Sequence, residues 1–255
     1  MSEAPKASGG VLVIAGTDSS GGAGLTRDVR VLCDLGIDSL CAVTAVTAQT
    51  DAHVTAIHPI PAHTIREQIA AAFATGRVAA VKIGMLGNRV SVDAVVAGLR
   101  EGVPVPTVLD PVLLSTSGGI LLDPAGKAAM QESLFPLTTL ITPNIPEIAS
   151  LLEEEPATRE AELVRQAERL VARGLRSVLI KGGHSACADA TDLLLTRGRA
   201  VQRITSRRLA VNCRGTGCTL ASAIAAGLAS GMLLIDACQR AKQYVWKRLA
   251  DAQAS

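Results

Sequence analysis

Aromatic side chains are nearly missing from this chain. Trp246, Tyr244, Phe73 and Phe135 make up 2% of 255 residues. Modules that stack bases of RNA or single strands need such rings, so that class is excluded. A flat ligand here must be gripped by aliphatic groups and Met. There is also no excess of charge: 25 Lys and Arg against 23 Asp and Glu leave a formal +2. That balance predicts neither a nucleic-acid footprint nor a polybasic membrane patch. The six cysteines, at 33, 41, 187, 213, 218 and 238, form no CxxC. Neither a zinc ribbon nor a thioredoxin-like site is signalled. The cysteines read as reduced, and the compartment as cytoplasmic. Residues 1–10 are polar, lack the apolar region of a signal peptide, and read as a flexible tail. No GxSxG and no HExxH occurs, and Cys218 has no His near it in sequence, so hydrolase and Cys-His chemistry lack support.

What is present is core. The chain is 48% hydrophobic, which suits a folded domain and excludes disorder. The 21 residues 215–235 carry no charge, a length that would span a bilayer. They are mostly Gly, Ala, Ser and Thr, interrupted by Gly227 and Gly231. A helix packed tightly on a sheet is the better reading.

Short β-rich runs alternate with helical patterns. Strands are expected at 11–15, 40–47, 79–83, 107–110, 139–142 and 177–181. A hairpin is expected from 192–196 and 200–205 around Arg197-Gly198-Arg199. Helices are expected at 23–35, 61–75, 90–100, 124–134, 145–153 and 158–173, and from about Thr216 and Leu234. This alternation predicts one α/β domain over 1–255, with a mainly parallel sheet covered on both faces. Its ligand site should lie at the carboxyl ends of the strands.

The chemistry-bearing residues sit at such ends. The Gly-rich loop from Gly16 to Gly24 follows the first strand. It is not a Walker loop, because no Gly-Lys-Ser/Thr follows; it reads as a flexible turn or a close backbone approach to a ligand. Gly215-Thr216-Gly217-Cys218 opens the uncharged helix, where N–H groups and dipole would gather an anion. Cys218 falls in the first turn, where the dipole is expected to lower its pKa and let it serve as a base. The bland alternative is a small buried Cys that helps the helix pack. Arg214, adjacent, would strengthen an anion site. Asn144 and Glu147 are three apart at a helix start. They suit either a hydrated Mg²⁺ or an ordinary capping box. Asp110, Lys181 and Lys82 each end a strand, the carboxylate placed for metal or substrate and the lysines for phosphate or for a surface turn. His184 reads as structural.

Taken in order, AGTDSSGGAG (15–24), TAVTAQ (44–49), VKIGML (81–86), LDPV (109–112), TPNIPE (142–147), KGGH (181–184) and GTGCTL (215–220) resemble the hydroxymethylpyrimidine/phosphomethylpyrimidine kinases of thiamine biosynthesis, in the ribokinase superfamily. The resemblance runs over about residues 11–250. It implies a ribokinase-like three-layer α/β/α fold with about eight strands and no large lid. It implies transfer of the γ-phosphate of ATP, with Mg²⁺, to 4-amino-5-hydroxymethyl-2-methylpyrimidine, its monophosphate, or both. By motif, Gly16, Asp28, Gln49, Met85 and Val112 would line the pyrimidine pocket. Cys218 would take the hydroxyl proton, while the backbone of Gly215 to Cys218, with Gly217, holds the moving phosphoryl group. Asp110, Asn144 and Glu147 would place Mg²⁺; Lys181 and Thr216 would contact ATP phosphates, with Asn144 beside them. A homodimer is also implied.

Three departures stand out. The family usually has Thr-His before Gly-Thr-Gly-Cys, and here Cys213-Arg214 stands instead. A permanent guanidinium suggests that Arg214 binds the phosphate of an already phosphorylated substrate; the bland alternative is a loop Arg facing solvent or ATP. Ser19 replaces the usual Pro. A His- and Gly-rich tail common in the family is absent. Two alternatives remain: a pyridoxal kinase of the Cys-containing subset, and a non-catalytic pyrimidine-binding regulator. Residues 113–120, after Val112, form a candidate lid.

Overall fold

The computed structural model describes residues 9–50, 52–115, 118–182, 189–211 and 213–254. Its first strand, β1 (Gly10–Asp18), already begins at Gly10, inside the stretch expected to be a tail. The rest of that tail lies outside the described residues, apart from Gly9, and so do Gly183 and His184. The other strands are β2 (Ser39–Gln49), β3 (Val54–Pro59), β4 (Val78–Ile83), β5 (Thr107–Leu109), β6 (Leu140–Ile141), β7 (Ser177–Ile180), β8 (Asp189–Thr196) and β9 (Gln202–Arg207). They form one sheet in the order β3-β2-β1-β4-β5-β6-β7-β8-β9. Strands β2, β1, β4, β5, β6 and β7 run parallel to one another; β3, β8 and β9 pair antiparallel at the two ends.

Alternation along β1 explains the layers. Leu12 and Ile14 point into one core; Val11, Val13 and Ala15 point into the other. Helices α2 (Ala62–Ala74), α3 (Arg89–Glu101), α4 (Pro124–Ala129), α5 (Ile145–Leu152) and α6 (Glu160–Ala172) cover the first face. Helices α1 (Gly24–Asp34), α7 (Thr216–Ala229) and α8 (Leu234–Ala254) cover the second. The ribokinase-like three-layer architecture is therefore present. No helix of the described residues is long and apolar enough to cross a membrane. The uncharged stretch is α7, with Leu220 to Gly227 buried, and a turn at Gly231 (φ +80°) separating it from α8.

The sheet has nine strands where about eight were expected. The addition is β3, which the sequence pattern hid: it is only partly buried, and its Pro59 is tolerable because it lies at the sheet's edge. The helix expected over 124–134 is regular only to Ala129; it widens into a π turn at Met130–Leu134 and tightens to 3-10 at Phe135–Leu137, around Pro136. In the candidate lid, Leu114 bridges Ile120 and the Ser115 N–H donates to Gly119 O at 2.8 Å; residues 116–117 lie outside the described set.

Strand order reverses at β1, which has β2 on one side and β4 on the other. A crevice beyond the carboxyl ends of the strands is expected at such a switch.

Candidate active site

Two glycines bring the loops of this crevice together. Gly215 caps α7 with φ +78°, and a Cβ there would lie 2.3 Å from Gly22 O. Gly24 opens α1 with φ +60°, and a Cβ would lie 2.5 Å from Gly16 O. Only a residue without Cβ lets the 18–24 loop, the end of β1 and the start of α7 meet this closely.

Gly217, two residues after Gly215, faces a charged cluster. A Cβ there would stand 3.1 Å from Lys181 Nζ and 3.5 Å from Asp110 Oδ2. Lys181 Nζ donates to Asp110 Oδ1 at 3.0 Å and stands 3.6 Å from Glu147 Oε2. The Thr142 hydroxyl also donates to Asp110 Oδ1, at 3.2 Å. The strand ends supply these groups: Asp110 follows β5, Lys181 follows β7, and Lys181 N–H donates to Pro143 O at 2.9 Å. Burial alone would raise the Asp110 carboxyl, but Lys181 and then Lys82 hold it below the usual range. Glu147 is pushed up by burial, with Asp110 adding to the rise against the pull of Lys181.

Asn144 and Glu147 form a full capping box on α5. The Glu147 N–H donates to Asn144 Oδ1 at 2.8 Å, and the Asn144 N–H donates to Glu147 Oε2 at 2.7 Å. The capping-box reading of the pair is the one seen here, and the cap holds Glu147 3.6 Å from Lys181. The described residues hold no group of three or more His, Cys, Asp or Glu able to bind a metal by themselves. Two carboxylates beside a lysine suit a Mg²⁺ that keeps water and substrate phosphate among its ligands.

Cys218 corrects the expectation. Its thiol is pushed up to about 12. Burial is the main cause; Lys82 and the Gly24 N–H oppose it, while Asp28 and Asp110 add to it. Desolvation outweighs the helix dipole here. Lys82 also departs from the expectation of a surface turn: it is sealed from solvent. Its Nζ stands 2.6 Å from Asp28 Oδ2, and both side chains are 0% exposed. Asp28 Oδ1 accepts from the Ser222 hydroxyl at 2.8 Å. Asp28, expected to line the pyrimidine pocket, presents no accessible surface and instead lies in the core with its oxygens engaged.

Met85 and Val112 share one small apolar cluster. Met85 packs with Ala45 and Leu121, and Val112, Val54 and Ile57 pack against them. A Cβ on Gly16 would lie 3.1 Å from Met85 Sδ, so Gly16 seats that Met. Gln49 ends β2 nearby, half-buried, with Oε1 3.2 Å from the Thr47 hydroxyl. Val54 and Ile57 were missed because β3 was missed. Asp18 was missed too; an Asp beside glycines gives a sequence signal no stronger than a turn. Arg214 meets no open anion site: its Nη2 stands 3.0 Å from Asp18 Oδ2.

A family model described as Phosphomethylpyrimidine kinase matches residues 18–254. The chain belongs to this family. It is 42% identical over 241 residues to a hydroxymethylpyrimidine/phosphomethylpyrimidine kinase of Rhizobium meliloti, covering 94% of this chain and 90% of the relative. A crystal structure of phosphomethylpyrimidine kinase from Clostridium difficile matches with TM-score 0.82 and 34% identity, covering 93% of this chain and 98% of that one. The pyridoxal kinase of Staphylococcus aureus in complex with ADP matches with TM-score 0.85 at 27% identity, over 94% and 88%. Pyridoxal kinases therefore share the fold, while the family model and the higher identities lie on the pyrimidine side.

Proposed function

We propose that this chain transfers the γ-phosphoryl group of ATP to 4-amino-5-hydroxymethyl-2-methylpyrimidine and to its monophosphate. The observation that carries the reading is the meeting of Gly217 with Lys181 and Asp110 at the start of α7. Phosphoryl transfer asks the protein mainly for positioning and for charge stabilisation. The backbone of Gly215 to Cys218 is suited to hold the transferring group, with Lys181 and Thr216 on the ATP phosphates. Asp110 and Glu147, with Asn144 shaping the turn, would hold Mg²⁺, which when bound neutralises phosphate charge.

Gly16, Met85 and Val112 suit a flat ring without an aromatic partner. The Gln49 amide offers a donor and an acceptor to an aminopyrimidine edge. In the first step the substrate hydroxyl oxygen bonds to phosphorus, the bond to the ADP oxygen breaks, and the thiolate form of Cys218 takes the hydroxyl proton. In the second step the nucleophile is a phosphate oxygen already stripped of its proton, so no base is needed. The reading includes a single domain, a homodimer and a cytoplasmic setting, supported by the family resemblance and by the cysteine usage. Arg214, ion-paired with Asp18, is given no phosphate-binding role in this reading.

The test is ATP-dependent phosphorylation with three acceptors offered separately: the pyrimidine, its monophosphate and pyridoxal. Turnover of the pyrimidines supports the reading. Turnover of pyridoxal alone would overturn the Gln49 pocket and keep phosphoryl transfer. Pyrimidine binding without turnover would mean a regulator on a kinase fold.

A further inference from the structure

Asp18 is the hub of a cross-loop clasp. Its Oδ1 accepts from the Ser20 N–H at 2.9 Å and the Ser20 hydroxyl at 2.8 Å; its Oδ2 accepts from the Ala23 N–H at 2.8 Å. These bonds fold the 18–23 turn onto one carboxylate. Arg214 then closes it from the other side of the crevice. Its Nη2 meets Asp18 Oδ2 at 3.0 Å, and its Nη1 donates to Ser20 Oγ at 2.8 Å and to Thr50 O at 3.1 Å. The Asp18 side chain is 3% exposed and that of Arg214 16%. Ser19 ties the same turn to the end of β2: its hydroxyl donates to Gln49 O and accepts from the Gln49 N–H, both at 2.7 Å. Three segments distant in sequence are thus fastened to one another: the Gly-rich loop, the end of β2 with Gln49, and the loop entering α7.

We infer that Arg214 is a positioning residue for the acceptor pocket: with Asp18 and Ser19 it locks Gln49 and the Gly-rich loop against the start of α7. This rests on the proposed function, because the pocket it orders is the pyrimidine pocket. The fork geometry is what the job needs. A guanidinium spreads its work over two nitrogens: Nη2 is ion-paired with the Asp18 carboxylate while Nη1 donates to the Ser20 hydroxyl and the Thr50 carbonyl, whereas an ammonium is a point charge. A guanidinium already matched to Asp18 also offers little unmatched charge to a substrate phosphate.

The experiment measures steady-state kinetics of wild type, Arg214→Ala, Arg214→Lys, Asp18→Asn and the Arg214→Ala/Asp18→Asn double variant, on both pyrimidines. Hydrogen exchange of segments 17–25 and 44–50 is followed alongside. Wild-type turnover is the control for the functional reading: without it that reading fails, and exchange still tests the clasp. Arg214→Ala is expected to raise acceptor KM roughly tenfold, the size of a lost charged hydrogen bond, with ATP KM unchanged. Both pyrimidines should suffer alike. Arg214→Lys should recover part of the loss. The double variant should be no worse than the poorer single one. Exchange should quicken in both segments in Arg214→Ala, without a change in the core strands. A loss confined to the monophosphate would overturn the clasp in favour of direct phosphate contact. So would additive singles, or exchange that does not move.

Discussion

Lys82 Nζ lies 2.6 Å from Asp28 Oδ2 in a pocket closed to solvent. Burial works against the Lys82 charge, but Asp28, with Cys218 and Asp110 behind it, raises its pKa above the ordinary value. Removing one partner strands the other charge in the core. Lys82→Met should therefore cost about 3–5 kcal/mol of unfolding free energy, and the Lys82→Met/Asp28→Asn pair should recover most of it. Denaturant unfolding of the three proteins checks this; an additive double variant would refute it.

The two phosphorylation steps should part at Cys218. A base is needed for the hydroxyl and not for the monophosphate. Cys218→Ser should lower first-step kcat by roughly 10²–10⁴-fold and leave the second step within a few fold. Because the thiol sits at about 12, the thiolate is a minority at neutral pH. First-step kcat/KM should then climb with pH through the neutral and mildly alkaline range, with no plateau, and the climb should vanish in the variant. Equal damage to both steps would mean that Cys218 serves packing or phosphoryl binding.

Gly215→Ala tests the docking of the loops. At φ +78° a Cβ is strained, and at 2.3 Å it would strike the Gly22 carbonyl, which is backbone and cannot rotate away. Strain of about 1–3 kcal/mol is expected, together with a kcat loss on both acceptors as α7 withdraws. Thermal unfolding and turnover measured together distinguish this from a tolerated change.

Lys181→Met should weaken ATP use, with kcat/KM for ATP falling roughly 10²–10³-fold. It should also change acid stability. Asp110, unfolded, titrates near 3.8 and is held lower in the fold. Its contribution is present above the unfolded value and fades as pH falls through the folded one. Without Lys181 that margin shrinks, so the acid unfolding midpoint should move to higher pH. Unfolding followed from pH 6 to about pH 2 would show the shift, since carboxylates titrate there.

Much of this was legible in one dimension. The parallel strands read as apolar runs because they are buried on both faces. Three things were not. Strand β3 is half-exposed and borrows its identity from pairing with β2. The pKa of Cys218 follows from burial, which no local pattern reports. Lys82 and Lys181 look alike at their strand ends, yet one is sealed against Asp28 and the other faces Asp110, Glu147 and the start of α7.

By itself the sequence determined the layers, the order of the motifs and the family. Those depend on periodicity and on backbone freedom at particular glycines, which are local properties. Only the tertiary structure decided which charges meet. Asp18 and Arg214 are far apart in the chain, and so are Asp28 and Lys82. Electrostatic and desolvation effects fall off with distance in space, so each such group acquires its chemistry from neighbours that only the folded sheet supplies.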